Sequence, residues 1–292
     1  MTDKEPEEEI LSLKAEIRRL RKSLSELTPS LPVLLRRRGF TIYRKEPRDD
    51  LLIPGERFID EYYRLLGRYS FRLFLRDIIK HQDLFTVKDV TRYATHGVTE
   101  GYVDSLLQIG LVERAGDAAC RLRDRPIKSF GPTLEWFIAE VFKREFSAEA
   151  TWGVKFKRPV VGGDYDLIAK VDGSILYMEV KSSPPKQIYA KEITAFFSRV
   201  FDLRPEIAVF FMDTELRMKD KIVPMVEEEL ARISFPDIPG FRRESGASST
   251  PPVRRIEKEL FHIEDKIFII NAKESIVSNI EKVLRWFFRR SL

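Results

Sequence analysis

The sequence predicts an α/β chain, a mixed sheet flanked by helices, preceded by a coiled coil and a small helical domain. Two observations predict the sheet. Asp172-Gly173 separates two alternating runs, Asp164 to Val171 and Ser174 to Lys181, and Asp-Gly is a strong hairpin signal because both positions of the tight turn need positive φ. Helix-like spacing then runs from Gln187 to Leu203 (Ile188, Ile193, Phe196, Phe197, Val200), and Ile207 to Met212 reads as a buried strand. A third observation predicts the coiled coil: Ile10, Leu13, Ile17, Leu20, Leu24 and Leu27 step by three and four.

Taken in order, residues 1–28 place Ile, Ile and Leu at one heptad position and Leu at the other, which favours a parallel pair and predicts a homodimer. Three heptads are marginal alone, so packing within the chain or against another protein is the alternative. Residues 29–69 are rich in Pro, Arg and Asp, contain Arg36-Arg37-Arg38, and read as a connector with some helix near Arg57 to Leu66.

Residues 70–128 read as three helices and a hairpin. Phe71, Phe74, Leu75, Ile78 and Ile79 mark the first helix, Thr86-Val-Lys-Asp-Val-Thr opens the second with a cap residue, and Thr99 to Ile109 is the third, ending at Gly110. With the small hairpin suggested by Leu111 to Asp117 and Ala119 to Arg123 this looks like a winged helix. Its third helix carries Glu100, Tyr102, Asp104, Ser105 and Gln108 and no Lys or Arg, which departs from a phosphate-neutralising surface. The cations are Arg121, Arg123, Arg125 and Lys128, the candidate nucleic-acid contacts; a domain used for protein contacts or packing is the alternative.

Residues 129–292 form the main domain. Counting outward from the two-residue turn, Val171 faces Ser174, Asp166 faces Glu179 and Asp164 faces Lys181. Alternation puts Tyr165, Leu167, Ala169, Val171, Leu176, Met178 and Val180 on a core face, and Asp164, Asp166, Glu179 and Lys181 on the other. Opposed carboxylates repel and raise one another's pKa unless a cation sits between them. Asp166, Glu179 and Asp164 are therefore candidate metal ligands, and oxygen-only ligands select a hard ion such as Mg²⁺, with Mn²⁺ as the alternative. A solvated edge hairpin of mixed charge is the bland reading of the same residues. Gln187, following the lysine, is a candidate to touch a phosphate or the attacking water, with an ordinary surface glutamine as the alternative. Residues 241–252 read as a mobile loop, and Phe261 to Glu264, Lys266 to Ile270 and the stripe Ile276, Ile280, Val283, Leu284 and Phe287 as a final β-α layer. Trp286, Phe287 and Phe288 with Arg289 and Arg290 suit a core stripe with a basic end better than membrane contact.

Composition bounds the rest. The 292 residues are 43% hydrophobic, with no run long enough to span a membrane, no leader pattern at the start, and a single cysteine, Cys120, which cannot form an intramolecular disulfide; this predicts a cytoplasmic protein. Three histidines far apart, His81, His96 and His262, make a zinc site improbable. A net charge of +5 with charge clustered along the chain suits an acidic polymer as partner.

At Gly-Gly-Asp-Tyr-Asp166-Leu-Ile, the hairpin, and Met-Glu179-Val-Lys181-Ser-Ser, the chain resembles the PD-(D/E)xK nuclease superfamily, with Tyr165 where the family name has Pro. The resemblance covers about half the chain. It implies a restriction-endonuclease-like mixed sheet flanked by helices, Asp166 and Glu179 as holders of Mg²⁺, and Lys181 positioning or activating water. It also implies a helix before the hairpin that donates a further acid, a place that Glu135 fits, and products with 5′-phosphate and 3′-hydroxyl ends. The function expected is a metal-dependent endonuclease acting on DNA, with RNA left open. A DNA-binding regulator or scaffold that no longer cuts is the alternative, and a partner-binding protein organised by the coiled coil is the third reading.

Overall fold

The computed structural model describes residues 28–157, 161–233 and 251–290, with Leu13, Glu16 and Arg19 as isolated helical positions. The expected coiled-coil pairing and most of the expected loop at 241–252 lie outside the described residues.

The stretch read as a connector contributes to the sheet. Helix α1 (Leu31–Arg37) buries Leu31 and Leu35, one helical turn apart, and β1 (Ile42–Arg44) pairs antiparallel with β4 (Glu149–Phe156). Helix α2 (Ile59–Leu66) follows and buries Tyr62 and Leu66.

In the next segment α3 (Tyr69–Lys80), α4 (His96–Gln108) and the hairpin β2 (Val112–Arg114) with β3 (Cys120–Leu122) lie where the spacing predicts them. The second predicted helix is shorter than expected, a single 3₁₀ turn over Val87–Val90. Asp89 Oδ2 accepts from the Thr86 N–H and hydroxyl at 2.7 and 2.8 Å, so the cap forms, but only Val90 of the turn is buried, which leaves little apolar surface to propagate it.

Helix α5 (Gly131–Glu145), β4, β5 (Tyr165–Val171), β6 (Ser174–Lys181), α6 (Ala190–Leu203) and β7 (Ile207–Met212) then run in sequence. The sheet order is β1-β4-β5-β6-β7 and then β10 (Ile267–Asn271), β9 (Leu260–Ile263) and β8 (Arg254–Glu257). Strands β4 to β6 form an antiparallel meander, β7 joins β6 in parallel after the crossover helix α6, and β10 joins β7 in parallel. Helix α7 (Ile222–Arg232) and α8 (Ile276–Arg290) complete the layers. Helix before meander, then helix and parallel strand, is the order implied by the resemblance, and the fold is a mixed sheet with helices on both faces.

Two cores result. Helices α2, α3, α4, α5 and α8 pack with Leu167, Ala169, Leu176 and Met178 on one face. Helices α1, α6 and α7 pack with Ile168, Ile175 and Tyr177 on the other. The expectation that one hairpin face is core while the other carries charge is thus corrected: Ile168, Ile175 and Tyr177 share the face of Asp166, Glu179 and Lys181, because α6 covers it and the charges keep only its open end. A buried ion pair fixes the helical segment to the sheet. Asp213, following β7, accepts from Arg72 Nε at 2.9 Å and also from Arg76, both on α3.

Candidate active site

The Asp172-Gly173 turn has φ of 46° and 82°, both left-handed as a two-residue hairpin turn of this type requires. It sets Val171 opposite Ser174 and Leu167 opposite Met178, and the same register carried one step further puts Asp166 opposite Glu179. Asp164 departs from the expected pairing. It precedes β5 and turns to Lys155 of β4, 3.0 Å away, in place of Lys181.

Glu179 is 2% exposed and heavily bonded. Oε1 accepts from Lys181 Nζ at 2.6 Å, Oε2 accepts from Tyr177 Oη, and Arg199 Nη1 of α6 lies 3.0 Å from Oε2 and 3.3 Å from Oε1. Asp166 Oδ2 accepts from the Val180 N–H at 2.8 Å, while Oδ1 has no hydrogen-bond partner among the described residues. Burial first, and then the Glu179 charge, push Asp166 up to about 7. Glu135 on α5 is half-buried and has no hydrogen bond or ion pair among the described residues. Burial raises its pKa well above the usual carboxylate range, and the charges of Asp166, Asp164 and Glu179 add to the rise. Burial would lower Lys181, but Glu179 and Asp166 outweigh it and leave the pKa raised, so the amine is protonated at neutral pH.

Two glycines let these parts approach. A Cβ at Gly163, where φ is +95°, would sit 2.6 Å from Arg199 Nη2. A Cβ at Gly153, where φ is +56°, would sit 2.5 Å from Pro47 Cδ and 3.9 Å from Glu135 Oε2.

Asp166, Lys181 and Glu135 are therefore close enough to Glu179 for its charge to act on each of them. Arg199 joins them and was missed by sequence reading. The available signal was a cation among Phe196, Phe197, Val200 and Leu203 of an otherwise apolar stripe. Gln187 lies in the 3₁₀ turn Pro185–Gln187, exposed, six residues beyond Lys181. The four cations expected to meet nucleic acid each have a carboxylate partner: Arg121 with Glu113 at 2.7 Å, Arg123 with Glu113 at 4.0 Å, Arg125 with Asp83 at 3.5 Å, and Lys128 with Asp50 at 3.7 Å.

No three His, Cys, Asp or Glu side chains among the described residues converge into a metal cage. The donor chemistry nonetheless fits a hard divalent cation. Asp166 Oδ1 and Glu135 are unbonded carboxyl oxygens beside Glu179, three acids against the two cations Lys181 and Arg199, and Mg²⁺ needs only one or two carboxylates besides water and phosphate. A cavity of about 880 Å³ lies elsewhere, against the Asp172-Gly173 turn and α8, remote from these acids in the fold.

No family model matches the chain, and no curated protein matches it. Among solved structures, the chain is similar to protein VC1899 from Vibrio cholerae at 13% identity and a TM-score of 0.36, covering 57% of this chain and 47% of that one. It is also similar to Can2 from Sulfobacillus thermosulfidooxidans, solved in complex with cyclic tetra-adenylate, at 15% identity and a TM-score of 0.38, covering 62% and 50%. The chain spans about half the length of each. No helix among the described residues is long and apolar enough to cross a membrane.

Proposed function

We propose that the chain is a Mg²⁺-dependent nuclease that hydrolyses phosphodiester bonds in DNA. The observation that carries this reading is the cluster at the open end of β5 and β6, where Asp166 and Glu135 hold unbonded oxygens beside the buried Glu179 and the protonated Lys181. Asp166 and Glu179, with Asp164 or Glu135 beside them, would hold the cation. A divalent cation bound there supplies a Lewis acid for the phosphoryl oxygens and lowers the pKa of bound water.

The chain's own residues supply the rest. Lys181 is a fixed positive charge on β6; it orients the attacking water and stabilises negative charge developing on the phosphoryl group, and being protonated it does not take up the water's proton. Tyr177 and Arg199 orient the Glu179 carboxylate, so Lys181 acts through a constrained arrangement. Water attacks phosphorus as the P–O3′ bond breaks in line; the proton of the attacking water is released to solvent, and the leaving 3′-oxygen takes one from solvent to become the hydroxyl.

The test is cleavage of end-labelled duplex, single-stranded and four-way-junction DNA with Mg²⁺ or Mn²⁺, by wild type, Glu179→Ala and Lys181→Ala. Metal-dependent cutting by wild type, lost in both variants, is expected; cutting that survives both changes removes the site assignment. One observation favours a second reading, a DNA-binding scaffold with a non-cutting fold. Both Glu179 oxygens are already held by Tyr177, Lys181 and Arg199. Binding without cutting in wild type selects it.

A further inference from the structure

A cleft of about 630 Å³ opens between α3 with the segment after it and the Ser182–Gln187 stretch that continues from Lys181. It is joined to the acids through the backbone: Asp213, in its wall, donates its N–H to the Lys181 carbonyl at 2.8 Å. Four exposed cations line it. Lys80 and Lys128 have carboxylate partners at 3.0 and 3.7 Å, while Arg92 and Lys186 have none among the described residues. Asp213, the acid in the lining, is fully buried and already bonded to Arg72 and Arg76. The wall therefore presents net positive charge. It also presents Tyr93, 39% exposed, with the Arg92 guanidinium 5.3 Å from its ring centroid.

We infer that this cleft binds a single-stranded stretch of the nucleic acid, phosphates against Lys80, Arg92, Lys128 and Lys186 and one base stacked on Tyr93; the inference rests on the nuclease reading of the adjacent site. Cations beside an exposed aromatic ring are the combination that single strands require, since every base offers a π face and every linkage a negative charge. The volume is that of a pocket for a drug-sized ligand, which suits a few nucleotides of one strand and is small for a duplex.

The test is fluorescence anisotropy of 5′-labelled dT15, rU15 and a 15-base-pair duplex on the full chain in EDTA, where metal-dependent cutting is silent. Single-strand affinity is expected to fall at least fivefold in Tyr93→Leu and at least tenfold in Arg92→Ala/Lys186→Ala, and to be unchanged in Arg232→Ala, an exposed cation of α7 outside the cleft. In the double variant the slope of log K against log salt should become shallower by about 1.4, two contacts at about 0.7 each. Losses on both dT15 and rU15 assign recognition to phosphate and base face; losses on one alone assign it also to the 2′-position or the thymine methyl, the two groups by which the probes differ. Affinity unchanged in the cleft variants, or a duplex bound tighter than either strand, overturns the inference. Cutting by wild type with cleft-independent binding leaves the nuclease reading intact; cleft-dependent binding with no cutting retires that reading and keeps the cleft.

Discussion

Arg199 Nη1 bridges both oxygens of Glu179, at 3.0 and 3.3 Å, so a crossover helix restrains an acid on the neighbouring strand. The contact is nearly buried and the bonds are charge-assisted. Removing Arg199 leaves Glu179 with Lys181 and Tyr177, so Arg199→Ala should cost about 1–3 kcal/mol, read as a shift in the urea midpoint. A double-mutant cycle with Glu179→Gln should give a coupling of about 0.5–3 kcal/mol; additivity would show that the two side chains do not interact.

Gly163 belongs to the same arrangement. An alanine methyl there meets the guanidinium at 2.6 Å on a backbone of φ +95°, so Gly163→Ala should displace Arg199 and lower both the urea midpoint and any cleavage rate. The cleavage loss should shrink when Arg199 is already Ala. Equal losses in the two backgrounds would separate Gly163 from Arg199.

Asp213 is fully buried between Arg72 and Arg76. Asp213→Ala strands a buried guanidinium, Arg72, and should cost about 3–5 kcal/mol in chemical denaturation. A loss below 1 kcal/mol would mean that the pair does not fasten the helical segment to the sheet.

Asp166 gives the metal-free protein a pH dependence. Its carboxyl rises on folding from the usual 3.8 to about 7, chiefly by burial and then by the Glu179 charge, so the folded state holds the proton more tightly than the unfolded chain. This contribution to stability is fully present below pH 4 and is lost as pH rises through about 7. In EDTA the melting temperature of wild type should fall relative to Asp166→Asn between pH 5 and pH 8, and Mg²⁺ should restore it at pH 8 in wild type more than in the variant. Parallel melting curves for the two proteins would contradict the shift.

The opposition of the two candidate acids was legible in the chain. The Asp-Gly turn and period-two alternation were sufficient to set the register that opposes Asp166 and Glu179, because a two-residue turn leaves no other pairing. Alternation alone could not show that α6 buries the remainder of the charged face, since burial of Ile168 and Tyr177 depends on contacts distant in sequence. Asp164 was misplaced because β5 begins after it, at Tyr165, and a free backbone lets its carboxylate turn to Lys155. Arg199 and the cleft were out of reach for the same reason: α6 and the α3 segment are brought to the hairpin by packing, and no local pattern encodes that meeting.

The sheet ends differently from how it begins its chemistry. Its outer strands β1 and β8 have three and four residues, each with an irregular register, and carry Arg44, Arg254 and Arg255. Short, kinked, cationic borders are poor templates for a strand from another molecule. Among the described residues, the eight-stranded sheet is thus poorly suited to growing edge to edge, which favours side-chain surfaces over extension of the sheet for any association between copies of the chain.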